Sequence, residues 1–231
     1  MPKLRRYTCE KELVLALREY PWLAWFKLER YSERKSTLET IIYHSIGGNT
    51  FRAFRNSPSA PSKVFRTWAL KILKNSRLEN FKHISSQNDY SIWLDQISDD
   101  FRRYWRRRMQ KDIPFGPSLK LPNLLAKRLC LFNGISEPRF LRIVHFLEVP
   151  LDKYTIQAIA NCKGSKIGNI PSSATMSFIK NRQIYNEFQM RIRSITRKAR
   201  VPAIALDCLA WDASHDKVAS KSNSHVKRNY L

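Results

Sequence analysis

Two short segments carry side chains suited to covalent chemistry. In Phe115-Gly116-Pro117-Ser118-Leu119-Lys120 a lysine lies one turn inside an apolar helix that starts sharply at a Gly-Pro turn. In Val149-Pro150-Leu151-Asp152 a carboxylate follows a proline turn and stands at the N-terminus of the next helix. The unpaired backbone N–H groups of a helix start favour the ionised carboxylate. An anion held rigidly in this way stabilises a developing cation. For the lysine, a cleft lined by basic side chains and withdrawn from water would disfavour the ammonium. A neutral amine is a nucleophile and forms Schiff bases. Lys127 and Lys153 are the competing amines. The plain alternative makes Lys120 a surface lysine and Asp152 a helix cap worth about 1 kcal/mol.

A second pair sits in Asp207-Cys208-Leu209-Ala210-Trp211, where an acid and an indole four residues apart share one helix face. Read plainly, they are a surface acid and a core ring. Ile46-Gly47-Gly48-Asn49-Thr50 places an amide just after an early helix. His44 and His145 are isolated and read as structural. The four cysteines, Cys9, Cys130, Cys162 and Cys208, contain no C-x-x-C pair. That spacing argues against a local zinc or iron–sulfur site and for reduced, mostly buried thiols. No compact carboxylate cluster suits magnesium.

These residues need helices to hold them, and hydrophobic periodicity supplies a series. Helices are predicted over Cys9–Tyr20, with Leu13, Leu15 and Leu17 on the apolar face, and over Trp22–Glu33. A capping box, Ser36-Thr37-Leu38-Glu39, opens a third that ends at Gly47-Gly48. Ser62 caps Lys63–Asn75. Asp89–Met109 follows, with Ile92, Trp93, Ile97, Phe101 and Trp105 at helical spacing and an arginine run at its end. Ser118–Phe132, Glu137–Leu147, Lys153–Ala160 (capped by Asp152) and Thr175–Arg200 come next. A last helix opens at Pro202 and reaches about Ala213. The stretch Lys163–Ser173 reads as a loop. Trp22, Trp25, Trp68, Trp93 and Trp105 all fall at core spacings. The expected class is all-α: residues 1–213 form one domain, and 214–231 a basic, loosely held tail.

The 231 residues include 42 Lys and Arg against 19 Asp and Glu, a net charge of +23. A field of that size attracts polyanions, so the partner is DNA, RNA or an anionic membrane surface. No apolar run approaches the length that spans a bilayer. Met1–Tyr20 carries Glu10, Glu12 and Glu19 among its apolar residues and reads as a helix, not a secretion signal, which places the protein inside the cell. With 43% hydrophobic residues a packed core is expected, and only six glycines disfavour an all-β barrel.

The ordered set Asn49, Lys120, Asp152, Asp207 and Trp211, with the pattern Phe115-Gly116…Lys120…Asn123-Leu124…Lys127, resembles the helix-hairpin-helix (HhH-GPD) DNA glycosylase superfamily. Within it, the chain is most similar to the archaeal 8-oxoguanine DNA glycosylase branch and related bacterial proteins of that fold. The likeness covers roughly residues 36 to 212. The gap from position 120 to position 152 is longer than in the commonest members; no Gly-x-Gly hairpin precedes Asp152, and asparagine replaces the usual glutamine at position 49. The resemblance implies two helical subdomains flanking a DNA-binding cleft. It implies a monomeric glycosylase with AP lyase activity on double-stranded DNA containing a modified base, needing no cofactor or metal. Lys120 is then the nucleophile and Asp152 the stabilising carboxylate. Asp207, Trp211, Pro150 and Asn49 would hold the extruded base. Arg106, Arg107, Lys127, Lys153, Arg193 and Arg197 would hold phosphates. The base is either oxidised guanine or a modified base in foreign DNA, as antiphage defence requires. The rival expectation is a non-catalytic DNA- or RNA-binding protein that keeps the fold, or a scaffold in a ribonucleoprotein.

Overall fold

A computed structural model describes residues 7, 9–47, 50, 51, 54, 57–160, 162 and 170–214. Among them every regular element is helical. Gly48, Asn49, the expected loop at 163–169 and the tail from residue 215 lie outside the described residues. Helix α1 (Glu10–Glu19) buries Leu13, Val14 and Leu17, while Leu15, expected on that face, points to solvent. One position is about 100° of rotation, so an alternating pattern cannot all face one way. Pro21 separates α1 from α2 (Trp22–Ser32). The N-cap of α3 (Leu38–His44) is Thr37, which accepts from the Thr40 N–H at 3.2 Å. Ser36, expected as the cap, instead donates its hydroxyl to Glu33. Helix α4 (Pro61–Ile72) likewise dispenses with its expected Ser62 cap, because Pro61 occupies the first helical position with a preset φ.

The helix expected to run to Asn75 ends in a kink within Leu73–Arg77, where Asn75 and Ser76 leave helical backbone and Ser76 has φ 111°. A short helix, α5 (Leu78–Lys82), follows. Ser86 caps α6 (Gln87–Met109) by accepting from the Asp89 N–H at 3.1 Å, so this helix starts earlier than expected. Trp93, Ile97, Phe101 and Trp105 are buried along it, whereas Ile92 is exposed. Helix α7 (Phe115–Leu129) begins at Phe115 instead of Ser118, and α8 (Glu137–Ile143) stops short of Leu147. Helix α9 is Lys153–Ala160. The stretch from Thr175 holds only a 3-10 turn, Met176–Phe178, before Asn181 caps α10 (Arg182–Ala199). Helix α11 is Ala205–Ser214.

The principal helix contacts fall into two groups. Helices α3 to α7 pack on one another, with the 3-10 turn against α7. Helices α1, α2, α9, α10 and α11 form the other group, so the first helices join the last. Glu10 ties α1 to α10 through Arg191 at 2.6 Å and Lys198 at 2.5 Å, and Tyr20 donates to Asp212 at 2.7 Å. The start of α7 fits because residue 116 is glycine. A Cβ there would lie 2.0 Å from the Met176 carbonyl oxygen of the 3-10 turn.

A line of buried hydrogen bonds joins the groups. The Tyr90 hydroxyl donates to Asn123 Oδ1 at 2.8 Å. Asn123 Nδ2 donates to the Tyr185 hydroxyl and to the Leu119 carbonyl, each at 2.9 Å. The Tyr185 hydroxyl donates to Glu148 Oε2 at 2.6 Å, and Arg193 reaches Glu148 Oε1 at 2.5 Å. The Gln189 amide meets both the N–H and the carbonyl of Val149, at 3.1 and 2.8 Å. Tyr185, Gln189 and Arg193 recur every four residues and so form one stripe of α10. Burial pushes the Tyr90 and Tyr185 phenols far above their ordinary range, which keeps both as donors. Arg193 was expected on a phosphate; the structure places it on this buried carboxylate.

The end of α2 is fastened to α7 by Arg128, which pairs with Glu29 at 2.9 Å and with buried Glu33. Burial alone would raise the Glu33 carboxyl. Hydrogen bonds from Ser36 and His44 and the Arg128 charge outweigh it, so the carboxyl lies below its ordinary 4.5.

Two outcomes are expected. In an open helix Gly→Ala is stabilising by up to about 1 kcal/mol. Here Gly116→Ala must displace backbone and should cost about 1–3 kcal/mol in urea denaturation. Glu33 stabilises the fold above its unfolded value and loses that contribution as pH falls through its lowered folded value. Glu33→Gln should therefore cost about 2 kcal/mol at neutral pH and flatten the acid limb of a denaturation series.

Candidate active site

Asp152 divides its two oxygens between two tasks. Oδ1 accepts from the Tyr154 N–H at 2.8 Å and the Thr155 N–H at 3.1 Å, capping α9. Thr155 Oγ1 reciprocates, accepting from the Asp152 N–H at 2.9 Å and donating to the Pro150 carbonyl at 3.1 Å. This double cap fixes the carboxylate before any ligand arrives. Oδ2 is left free of the cap and faces Lys120 Nζ at 3.4 Å. Both side chains are largely withdrawn from solvent, at 13% and 16% exposure. Thus the second turn of α7 and the turn before α9 bring an amine and a carboxylate together across the two packing groups.

Two turns further along α7, on the same side, Lys127 meets Asp207 of α11 at 2.7 Å. Trp25 of α2 lies over this ammonium, its ring centre 4.6 Å away. Burial pushes the Asp207 carboxyl up, Lys127 pulls it back, and the charges of Asp152 and Lys120 also reach it. The four ionic groups therefore form one electrostatic unit. Burial acts to lower Lys127, but the Asp207 carboxylate overrides it and holds the ammonium protonated above its ordinary range. Burial pushes the neighbouring Cys208 thiol up to about 12, so it is not a thiolate nucleophile at neutral pH. Trp211 stands at the rim, 46% exposed, with its ring edge-on to Tyr154 at 5.3 Å.

Several expectations change here. The amine of Lys120 faces the Asp152 carboxylate, and its charge is felt at Asp207, so its surroundings are not simply a cleft of basic side chains. Lys127 was expected on a phosphate and is instead locked in the buried pair. Trp25 was assigned to the core by its spacing. Trp25 does pack, partly buried, against the core beside fully buried Phe26, and its ring also covers Lys127, a contact its spacing did not announce.

Pro150 is buried, and its carbonyl serves the cap. Lys153 is exposed beside Asp152 at the first position of α9. Arg106 is exposed and pairs with Asp112 at 2.5 Å. Arg107 and Arg197 are exposed, Arg107 beside α4 and Arg197 on the last turn of α10. The structure thus gathers Lys120, Asp152, Lys127, Asp207 and Trp211, while Arg106, Arg107, Arg193 and Arg197 lie elsewhere; Asn49 is outside the described residues. Among the described residues no group of three His, Cys, Asp or Glu is placed to hold a metal, and no helix is long and apolar enough to cross a membrane. The chain matches no protein-family model, no curated protein and no solved structure.

Removing one member of a buried pair strands the other. Lys127→Met should cost about 3 kcal/mol or more. The double variant Lys127→Met/Asp207→Leu should cost less than the two single changes added together. A double-mutant cycle in chemical denaturation measures that coupling.

Proposed function

We propose that the protein is a DNA glycosylase with AP lyase activity, using Lys120 as nucleophile and Asp152 as its partner. The observation that carries this reading is the approach of Lys120 Nζ to the uncapped oxygen of Asp152 at 3.4 Å. A second support is provenance: α7 belongs to one packing group and α9 and α11 to the other. A helix-hairpin-helix glycosylase draws its chemistry from two helical subdomains, and this pairing is consistent with that.

A base stacked in duplex DNA is out of reach, so the target nucleotide is extruded at a cost of a few kcal/mol. Contacts from exposed cations beside the site, Lys153 first among them, to flanking phosphates help offset it. The Lys127–Asp207 pair presents a donor and an acceptor to the edge of the flipped base, and Trp211 offers a ring at the rim. Asp152 takes a proton from Lys120 and passes it to the departing base, regaining the negative charge that stabilises the cation growing on the sugar. The amine attacks the anomeric carbon as the glycosidic bond breaks and its electrons leave with the base. Opening of the sugar ring then gives a protonated Schiff base. Loss of a C2′ proton and departure of the 3′ phosphate complete the lyase step. These steps draw on the chain's own groups. The substrate class is an oxidised guanine or another modified base, including those of foreign DNA met in antiphage defence.

Borohydride trapping on duplexes carrying different lesions tests the proposal. The native protein should give a covalent adduct, and Lys120→Ala none. If Lys120→Ala still traps while Lys127→Ala or Lys153→Ala does not, the nucleophile is another lysine. Asp152→Asn should slow base release strongly with DNA affinity nearly intact. A loss of folding or binding instead would reduce Asp152 to a cap. Salt-sensitive binding with no adduct on any lesion would mark a non-catalytic DNA-binding protein.

A further inference from the structure

On the far side of α6 from α7, the last turns of α4 and the C-terminal half of α6 enclose a groove of about 430 Å³. It shares no residue with the Lys120 site. Its lining carries Lys71, Arg77, Arg103 and Arg107 against a single acid, Asp100. Asp100 is already engaged by Arg77 at 3.3 Å and by Arg103. A smaller neighbouring recess adds Arg108 to Lys71, Tyr104 and Arg107. The arginine run of α6 is therefore not uniform. Arg102 and Arg106, outside the groove, pair with Asp99 and Asp112. Among the described residues, the Lys71 and Arg107 side chains have no such acid and stand exposed at the groove mouth.

Two further features converge here. The ring of Tyr104 lies in the lining, with the Arg108 guanidinium 5.6 Å from its centre. The kink between α4 and α5 also lines the groove, and there Ser76 holds a φ of 111° that a serine rarely adopts. Strain of this kind costs on the order of 1–3 kcal/mol, and it clusters at binding sites. A concave cationic track beside an aromatic ring is the arrangement that binds one nucleic-acid strand, with phosphates on the cations and a base on the ring. A duplex is too wide to enter and would touch only the mouth.

We infer that this groove is a second nucleic-acid site, binding single-stranded phosphodiester chain independently of the Lys120 chemistry. The test uses the full chain, a labelled oligothymidylate about twelve nucleotides long and, separately, an undamaged hairpin duplex, with anisotropy read across a salt series. Lys71→Ala/Arg107→Ala should weaken single-strand binding about tenfold and lower the salt slope by about 1.4, from roughly 0.7 per lost contact. Tyr104→Ala should weaken it about fivefold, and Tyr104→Phe should restore it. Arg102→Ala is the reference for a paired surface arginine and should change single-strand binding less than about twofold. The same pattern is expected in a Lys120→Ala background, so failure of the glycosylase reading leaves this test standing. An unchanged single-strand affinity and salt slope in the double variant would overturn the inference. So would an equal loss on the duplex, which would make these cations duplex contacts only.

Discussion

Asn123 is the side chain on which the two halves of the molecule depend. Its amide offers one acceptor and two donors, and each is used: by Tyr90 of α6, by the Leu119 carbonyl of its own helix, and by Tyr185 of α10. Apolar packing holds α6, α7 and α10 together but is indifferent to small slides. Buried hydrogen bonds are directional, and orphaned partners in a low dielectric are costly. The consequence for the site is direct. Asn123 lies one turn after Lys120, and Glu148, at the other end of the line, lies one short turn before Asp152. The same hydrogen-bonded line therefore sets where the amine and the carboxylate stand relative to each other.

The site itself balances its charges on a chain that does not. Across the protein the excess is +23, yet Lys120, Lys127, Asp152 and Asp207 sum to neutrality. The two pairs differ in tightness. Lys127 and Asp207 meet at 2.7 Å beneath Trp25, a closed arrangement suited to a fixed wall. Lys120 and Asp152 stand at 3.4 Å, with the carboxylate orientation set by the α9 cap and not by the lysine. Lys120 is therefore not needed to hold its neighbour in place.

Much of this was legible in sequence because it rests on local chemistry. Asp152 announced itself through proline, carboxylate and a following apolar period, and its capping role needs nothing beyond the next three residues. The helical class followed from periodicity in the same way. What escaped depended on distant partners. Arg193 looks like any arginine in a basic run until the buried Glu148 is placed beside it. Trp25 packs on the core as its spacing suggests, but its cover over Lys127 needs α7 to be placed beside α2. Ser36 and Thr37 are equivalent caps on paper; Glu33, held by Arg128, claims the serine. The kink at Asn75 and Ser76, and α5 after it, left no mark because nothing in Leu73–Arg77 forbids a continuous helix.

The union of the first helices with the last has a consequence for how the chain is made. Arg18 of α1 donates to the carbonyl of Lys198 at 2.8 Å, a contact across most of the polypeptide. At ordinary rates of synthesis, α1 waits on the order of ten seconds after leaving the ribosome before α10 emerges. Throughout that interval Leu13, Val14 and Leu17 lack the partners that cover them in the folded protein. The α3–α7 group is contiguous in sequence and has no such wait, whereas α1 reaches its principal partner only when α10 has been made.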